Sequence, residues 1–251
     1  MEILKLPLWL SGTAAVVLNA FPGTAPADAA QNVGVVATLK KDVIGTLDNH
    51  SRALAVSSDV FHDEAIETRD GASSQIMFLD QTVLTLGPNS RVVLDEMVFD
   101  PASGTGTVVL NLVSGVFRFA SGTLDSRSYT IHTPVSNIGV RGTGLLILVS
   151  PSGGTLVLLI EGAAEVTDIN GVREVLNHPG SYSIVGAGGA PPTLPDDVPR
   201  EFLNLIESAR DIDIIVETLP SLPGSDAPVE LQDFISSVVD NAAGRTGTVT
   251  S

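Results

Sequence analysis

The sequence predicts an all-β fold carrying a short helical appendage at its C-terminal end. Three observations carry that prediction. Short apolar runs rich in Val, Leu, Ile and Thr recur from residue 33 to about 186, separated by Gly, Pro, Asn and Asp clusters. A Gly/Pro-rich stretch then intervenes, and beyond it the apolar residues change to helical spacing. Hydrophobic residues make up 43% of the 251 residues but aromatic ones only 4%, the composition of a folded chain long enough for one large β domain plus an appendage.

The elements follow in order. Residues 1–29 read as a secretory signal peptide: Lys5, then an apolar run, then Pro22, Gly23 and Pro26, and the small-residue pattern Ala27-Asp28-Ala29. The run is short for a membrane span, so the mature chain is expected to be periplasmic or secreted and not membrane-spanning. Residues 30–186 form the expected β domain. Its strands are VGVVATL, SQIMFLD, TVLTLG, RVVLDEMVF, TVVLNLV, GVFRFA, SYTIHT, GLLILV, TLVLLIEG and VREVL. GVFRFA alternates, with Phe117 and Phe119 on one face and Val116, Arg118 and Ala120 on a second face expected to meet water. LLILV and TLVLLI are apolar at every position, which demands cover on both sides. Residues 187–198 read as a linker. Residues 199–243 read as two amphipathic helices, joined by PSLPGSDAP, whose three prolines permit no helix through it. Residues 244–251 read as a flexible tail. Between 196 and 251 lie eleven acidic and three basic residues, and the bland reading of these helices is that they cover the all-apolar hairpin of their own chain.

Chemistry is harder to find. A net charge of −16 with no basic cluster argues against nucleic-acid binding, and the absence of cysteine excludes disulfides and thiolate chemistry. The G-x-S-x-G, phosphate-loop and H-E-x-x-H patterns are missing, and His50, His62, His132 and His178 are scattered. No catalytic residue, metal site or cofactor is therefore expected. His62-Asp63-Glu64 reads as a solvated turn, and Asp168 to Gly171 as a type I′ hairpin turn on Asn170-Gly171.

Taken together, residues 34–186 resemble the FecR-type periplasmic domain, the family of the iron-dicitrate transport regulator. The resemblance rests on the G-x-F-R strand at 115–118, the TP-x-x-x-I-G-V-R-G-T stretch at 133–143 and the E-G-x-x-x-V segment at 161–166. It implies a twisted-sheet or solenoid-like β module without catalytic activity. In signalling members that module relays the state of an outer-membrane receptor to a sigma factor. Here a signal peptide stands where those members carry an anti-sigma segment and a membrane span, which makes direct sigma-factor control doubtful. Asp80-Gln81 also stands where the family more often has Asp-Gly in a turn. Within the signature, Arg141, Gly142 and Thr143 are candidate binding residues whose expected role is structural, with Arg141 tying off carbonyls or a carboxylate where strands change layer.

The functional expectation is a non-catalytic extracytoplasmic protein-binding or envelope-sensing module whose partner is a protein of the cell envelope. The rival is a self-assembling structural or adhesive component of the cell surface, since strand edges can pair.

Overall fold

A computed structural model describes residues 30–125, 127–209, 211–221 and 229–244. The expected signal peptide lies outside them, as do residues 245–251 of the expected tail. The strands are β1 (Asn32–Lys40), β2 (Val43–Leu47), β3 (His50–Ala53), β4 (Asp59–Phe61), β5 (Ala65–Thr68), β6 (Ser73–Phe78), β7 (Val83–Leu86) and β8 (Arg91–Asp100). They continue with β9 (Thr105–Ala120), β10 (Tyr129–His132), β11 (Ser136–Val149), β12 (Thr155–Asp168), β13 (Arg173–Leu176), β14 (Ser181–Val185) and β15 (Asp196–Asp197). Three helices follow: α1 (Arg200–Ser208), α2 (Ile212–Thr218) and α3 (Val229–Ala242). The chain is thus mostly β, with its helices gathered near the C-terminus.

The strands form an open sheet in the order β15-β14-β12-β11-β10-β9-β7-β6-β1-β4, with β13 on β12 and a branch of β2, β3, β5 and β8 joined to β9. Three long strands organise it. The first half of β9 pairs with β8 and, in parallel, with β10; its second half pairs with β7 and β11. Likewise β11 pairs with β10 before Arg141 and with β9 after Thr143, while β12 follows it throughout. A strand that changes partners midway must bend, and glycine takes the bend at little cost. At Gly115 φ is +118° and a Cβ would lie 2.1 Å from Ser90 Oγ, so TVVLNLV and GVFRFA are one strand hinged at a position only glycine fits.

Two apolar clusters result. The first lies inside the bent sheet and includes Phe117, Phe119, Tyr129, Ile138, Leu145, Ile147, Val149, Val157, Leu159 and Val166. The second lies on the opposite face, where Val116, Leu146, Leu148, Leu156, Leu158 and Ile160 meet Phe202, Ile206, Ile212, Ile215, Leu231, Ile235 and Val238 of the helices. Alternate residues of LLILV therefore serve alternate clusters, which is why every position is apolar. The second face of GVFRFA is correspondingly not wet along its length: Val116 is fully buried beneath the helical layer.

Several local expectations change. The hairpin turn of DNH, not singled out above, is a two-residue loop: Leu47 pairs with His50, and Asp48 and Asn49 have φ of +49° and +62°, as a type I′ turn requires. The Asp168 turn is of another kind. Only Gly171 has positive φ there, the Gly171 amide donates to the Asp168 carbonyl, and Asp168 Oδ1 accepts from the Asn170 and Val172 amides. That is a type I turn closed by a left-handed glycine. The first expected helix is two, because Ala209 is extended (ψ 118°) and Asp211 begins α2. Thr193 and Asp196-Asp197 of the expected linker hydrogen-bond along the edge of β14.

Candidate interaction surface

The signature stretch forms the corner at which β11 bends. Gly142 has φ +55° and faces Gly162, φ +83°, on β12; a Cβ on Gly162 would lie 2.1 Å from the Gly142 carbonyl oxygen. The register slips between Arg141 and Leu145. Thr143 is buried, its amide donates to Ser121 Oγ (2.9 Å), and its hydroxyl donates to the Glu161 carbonyl. The tying of carbonyls expected of Arg141 is performed by Thr143 and Ser121. Arg141 itself is exposed, and its guanidinium makes no ion pair or hydrogen bond among the described residues.

Two buried polar groups could be taken for chemistry, and both are engaged in the framework. Asp80 is fully buried and accepts from Thr82 Oγ1 (2.6 Å), the Tyr129 hydroxyl (2.8 Å) and the Thr82 amide (3.0 Å). The Leu124 amide donates to the same Tyr129 oxygen at 3.0 Å, and burial pushes the Tyr129 phenol up from its usual range. This network locks the β6–β7 turn to the loop after β9. In that turn Gln81 has φ +70°, the left-handed conformation a glycine would take without strain.

Glu64, expected in a solvated turn, is instead fully buried. Its carboxylate meets Arg52 Nη2 at 2.9 and 3.0 Å and Nε at 3.2 Å, and accepts the Phe61 amide at 3.0 Å. Arg52 also lies over the Phe61 ring, 5.3 Å from its centre. Burial raises the Glu64 pKa above the ordinary carboxylate value, against the opposing pull of the Phe61 amide and Arg52. The sequence offered no sign of this, because the partner lies in a hairpin whose strands were not apparent.

The helical layer is fastened to the sheet by polar groups as well as by its apolar cluster. Arg118 Nη1, from the G-x-F-R strand, donates to the Ala209 carbonyl (2.7 Å) at the end of α1. Asn89 Nδ2, in the turn before β8, donates to the Asn241 and Ala242 carbonyls (2.9 and 3.2 Å) at the end of α3. No helix among them has a basic residue in its last turn, so these sheet side chains supply the donors that helix C-termini need. Lys40 adds an ion pair to Asp213 of α2 at 2.5 Å, which raises the lysine pKa. Arg118 and Asn89 were missed as contact residues; an arginine alternating with two phenylalanines was the available signal.

Open cavities border this layer among the described residues. One, of about 460 Å³, lies between Lys40, Lys41 and Asp70 on the sheet side and Asp213, Val216 and Val239 on the helices. Another, of about 580 Å³, holds His178, Asp197, Arg200, Asn204 and Glu207. His178 Nε2 is 2.6 Å from Asp197 Oδ1, but the neighbouring Ser181 hydroxyl donates to the His178 backbone carbonyl and not to its ring. The Ser181 hydroxyl is thus not addressed by the His178 ring. Among the described residues no group of three His, Cys, Asp or Glu is placed to hold a metal ion, and no helix is long and apolar enough to cross a membrane.

No curated protein matches the chain. Two crystal structures of a "putative anti-sigma factor" from Parabacteroides distasonis, at 1.65 and 2.50 Å, match with TM-scores of 0.44 and 0.45. Each is 16% identical, over 62% of this chain and 72% of that one. The family model described as FecR protein matches residues 64–165, from the buried Glu64 through the Arg141–Thr143 corner to the β12 segment after it. Over residues 64–165 the chain is therefore similar to the FecR domain.

Proposed function

We propose that the chain is a non-catalytic, extracytoplasmic module that binds a protein partner in the cell envelope and serves there in sensing or regulation. A FecR domain suggests a regulatory or sensing role. The observation that carries the binding reading is how the polar groups are spent. Asp80, Glu64, Asp168 and Thr143, the buried groups most suited to chemistry, all hold turns, corners or loops in place. What remains available is surface: among the described residues strands β3, β4 and β13 each pair on one side only, and the helices expose their acidic faces. Unpaired strand edges are the usual platform for adding a partner's strand.

Photoreactive residues placed in β3, in β13, at position 77 and on the outer face of α1, each in the full chain in its native host, test which surface meets a partner. Crosslinks to a different envelope protein are expected. Crosslinks only between copies of this chain would favour a self-assembling surface component, and retention of the chain in the cytoplasm would refute the proposed location.

A further inference from the structure

The outward face of the sheet is half covered. Its rows can be followed across the strands by register. One row runs Val116, Leu148, Leu156 and Ile184 beneath the helices. The row nearer the β6–β7 turn runs Val35, Met77, Val83 and Ala120 across β1, β6, β7 and β9. It is apolar at all four positions, and Leu79 follows Met77 by two residues on the same face. The described residues leave this row partly open: Met77 is 44% exposed, Leu79 52%, Ala120 is exposed, and Val35 and Val83 are half-buried. Where the row meets the helical layer, a groove of about 240 Å³ lies between Gln75, Val83, Thr85, Arg118 and Ala120 on the sheet and Ile212 on α2.

We propose that this row is the docking site for an amphipathic α-helix of a partner protein, lying beside α2 and extending the helical layer across β7, β6 and β1. The inference rests on the protein-binding reading above and specifies its surface. Continuity with the existing layer argues for a helix over a strand: the same sheet face already takes α1, α2 and α3 face-on through the same kind of apolar row. Charge argues for the partner's character. The exposed acids Asp211, beside Ile212, and Asp59, paired with Val35, stand at the two ends of the row; of the nearby bases, Arg118 in the groove donates to the Ala209 carbonyl, and Lys40, level with Ser73 two rows away, is paired with Asp213. A helix with basic flanks is therefore complementary. A second copy of this chain is not, because its helices carry exposed Glu201, Glu207, Asp211, Glu217, Asp233 and Asp240 against Arg200 alone among their described exposed bases.

The test titrates the isotope-labelled full chain with a synthetic peptide of leucine and lysine at helical spacing, and with its leucine and glutamate counterpart. The expected result is saturable shifts at Met77, Leu79, Val83 and Ala120 with the basic peptide, weakened about tenfold or more in Met77→Glu and in Val83→Glu. Both positions face solvent in part, so folding should survive, and unchanged spectra elsewhere would verify it. Shifts spread over the outer faces of α1 and α3, or equal binding of the acidic peptide, would overturn the proposal. So would a row already buried in the full chain and freed by removal of residues 1–29, or a dimer broken by Met77→Glu. A partner crosslinked through β3 or β13 but never through position 77 would refute this surface and leave the protein-binding reading standing.

Discussion

The two apolar clusters are built from opposite sides of the same strands, yet they are held in different ways. The inner cluster contains the large aromatics Phe117, Phe119 and Tyr129, with Tyr129 edge-on to Phe119 at 5.9 Å, and is pinned by a buried polar network. The outer one is aliphatic apart from Tyr182, Phe202 and Phe234, and its helices are fastened at their C-terminal ends by Arg118 and Asn89. The inner cluster defines the fold; the outer one closes an apolar face that the strands could not leave bare. Where the closure stops, an apolar row is left open.

The sharpest way to break that distinction is to empty each cluster in turn. Phe117→Ala should cost about 3–5 kcal/mol and unfold strands and helices together, whereas Ile215→Ala should cost about 2–4 kcal/mol and loosen the helices first. Denaturant unfolding followed separately by strand and helix signals would show it. Next, Tyr129→Phe leaves Asp80 short of a donor and the Leu124 amide without an acceptor; a loss of about 1–3 kcal/mol is expected, with faster amide hydrogen exchange in the β6–β7 turn.

Glu64 tests electrostatics at the rim of the inner cluster. Its folded-state pKa lies above the ordinary value of 4.5, so its share of stability is full below that value and is lost as pH rises through the folded value. Relative to Glu64→Gln, the native chain should therefore lose ground over the window that opens at pH 4.5 and rises through the folded-state value. A gain over that window would mean that Arg52 outweighs burial.

Smaller effects sharpen the account of the signature. Gln81→Gly removes a left-handed penalty of about 1–2 kcal/mol and adds about 0.4–1 kcal/mol of unfolded-chain freedom, for a net gain of about 0–1.6 kcal/mol in thermal unfolding. Arg141→Ala, with no partner among the described residues to lose, should change stability by no more than about 0.5 kcal/mol. The same substitution at Thr143 would remove a buried donor and should cost more.

Much of this architecture was legible. Alternation placed Phe117 and Phe119 inward, and the unbroken apolar runs 145–149 and 155–160 announced two-sided burial and hence the helical layer. What escaped notice was non-local or masked by composition. The strands from Val43 to Thr68 are short and interrupted by Gly45, Asp48 and His50, so periodicity was too brief to register, and Glu64 looked like surface without its Arg52. The break between α1 and α2 falls where the helical spacing continues unbroken in sequence and a sheet arginine takes the Ala209 carbonyl. Within the signature candidates Arg141, Gly142 and Thr143, the carbonyl tie expected of Arg141 is made by Thr143, two residues on.

Methionine chemistry tests the central claim, that the half-covered sheet face is where this protein meets its partner. Met77 lies exposed in the open row, while Met97, at 3% exposure, lies in the inner cluster and serves as an internal control. Mild peroxide should oxidise Met77 readily and Met97 slowly in the isolated full chain. In the native host Met77 should be protected toward the level of Met97, and that protection should vanish in Val83→Glu. Equal reactivity of Met77 in the isolated chain and in the cell would contradict the account.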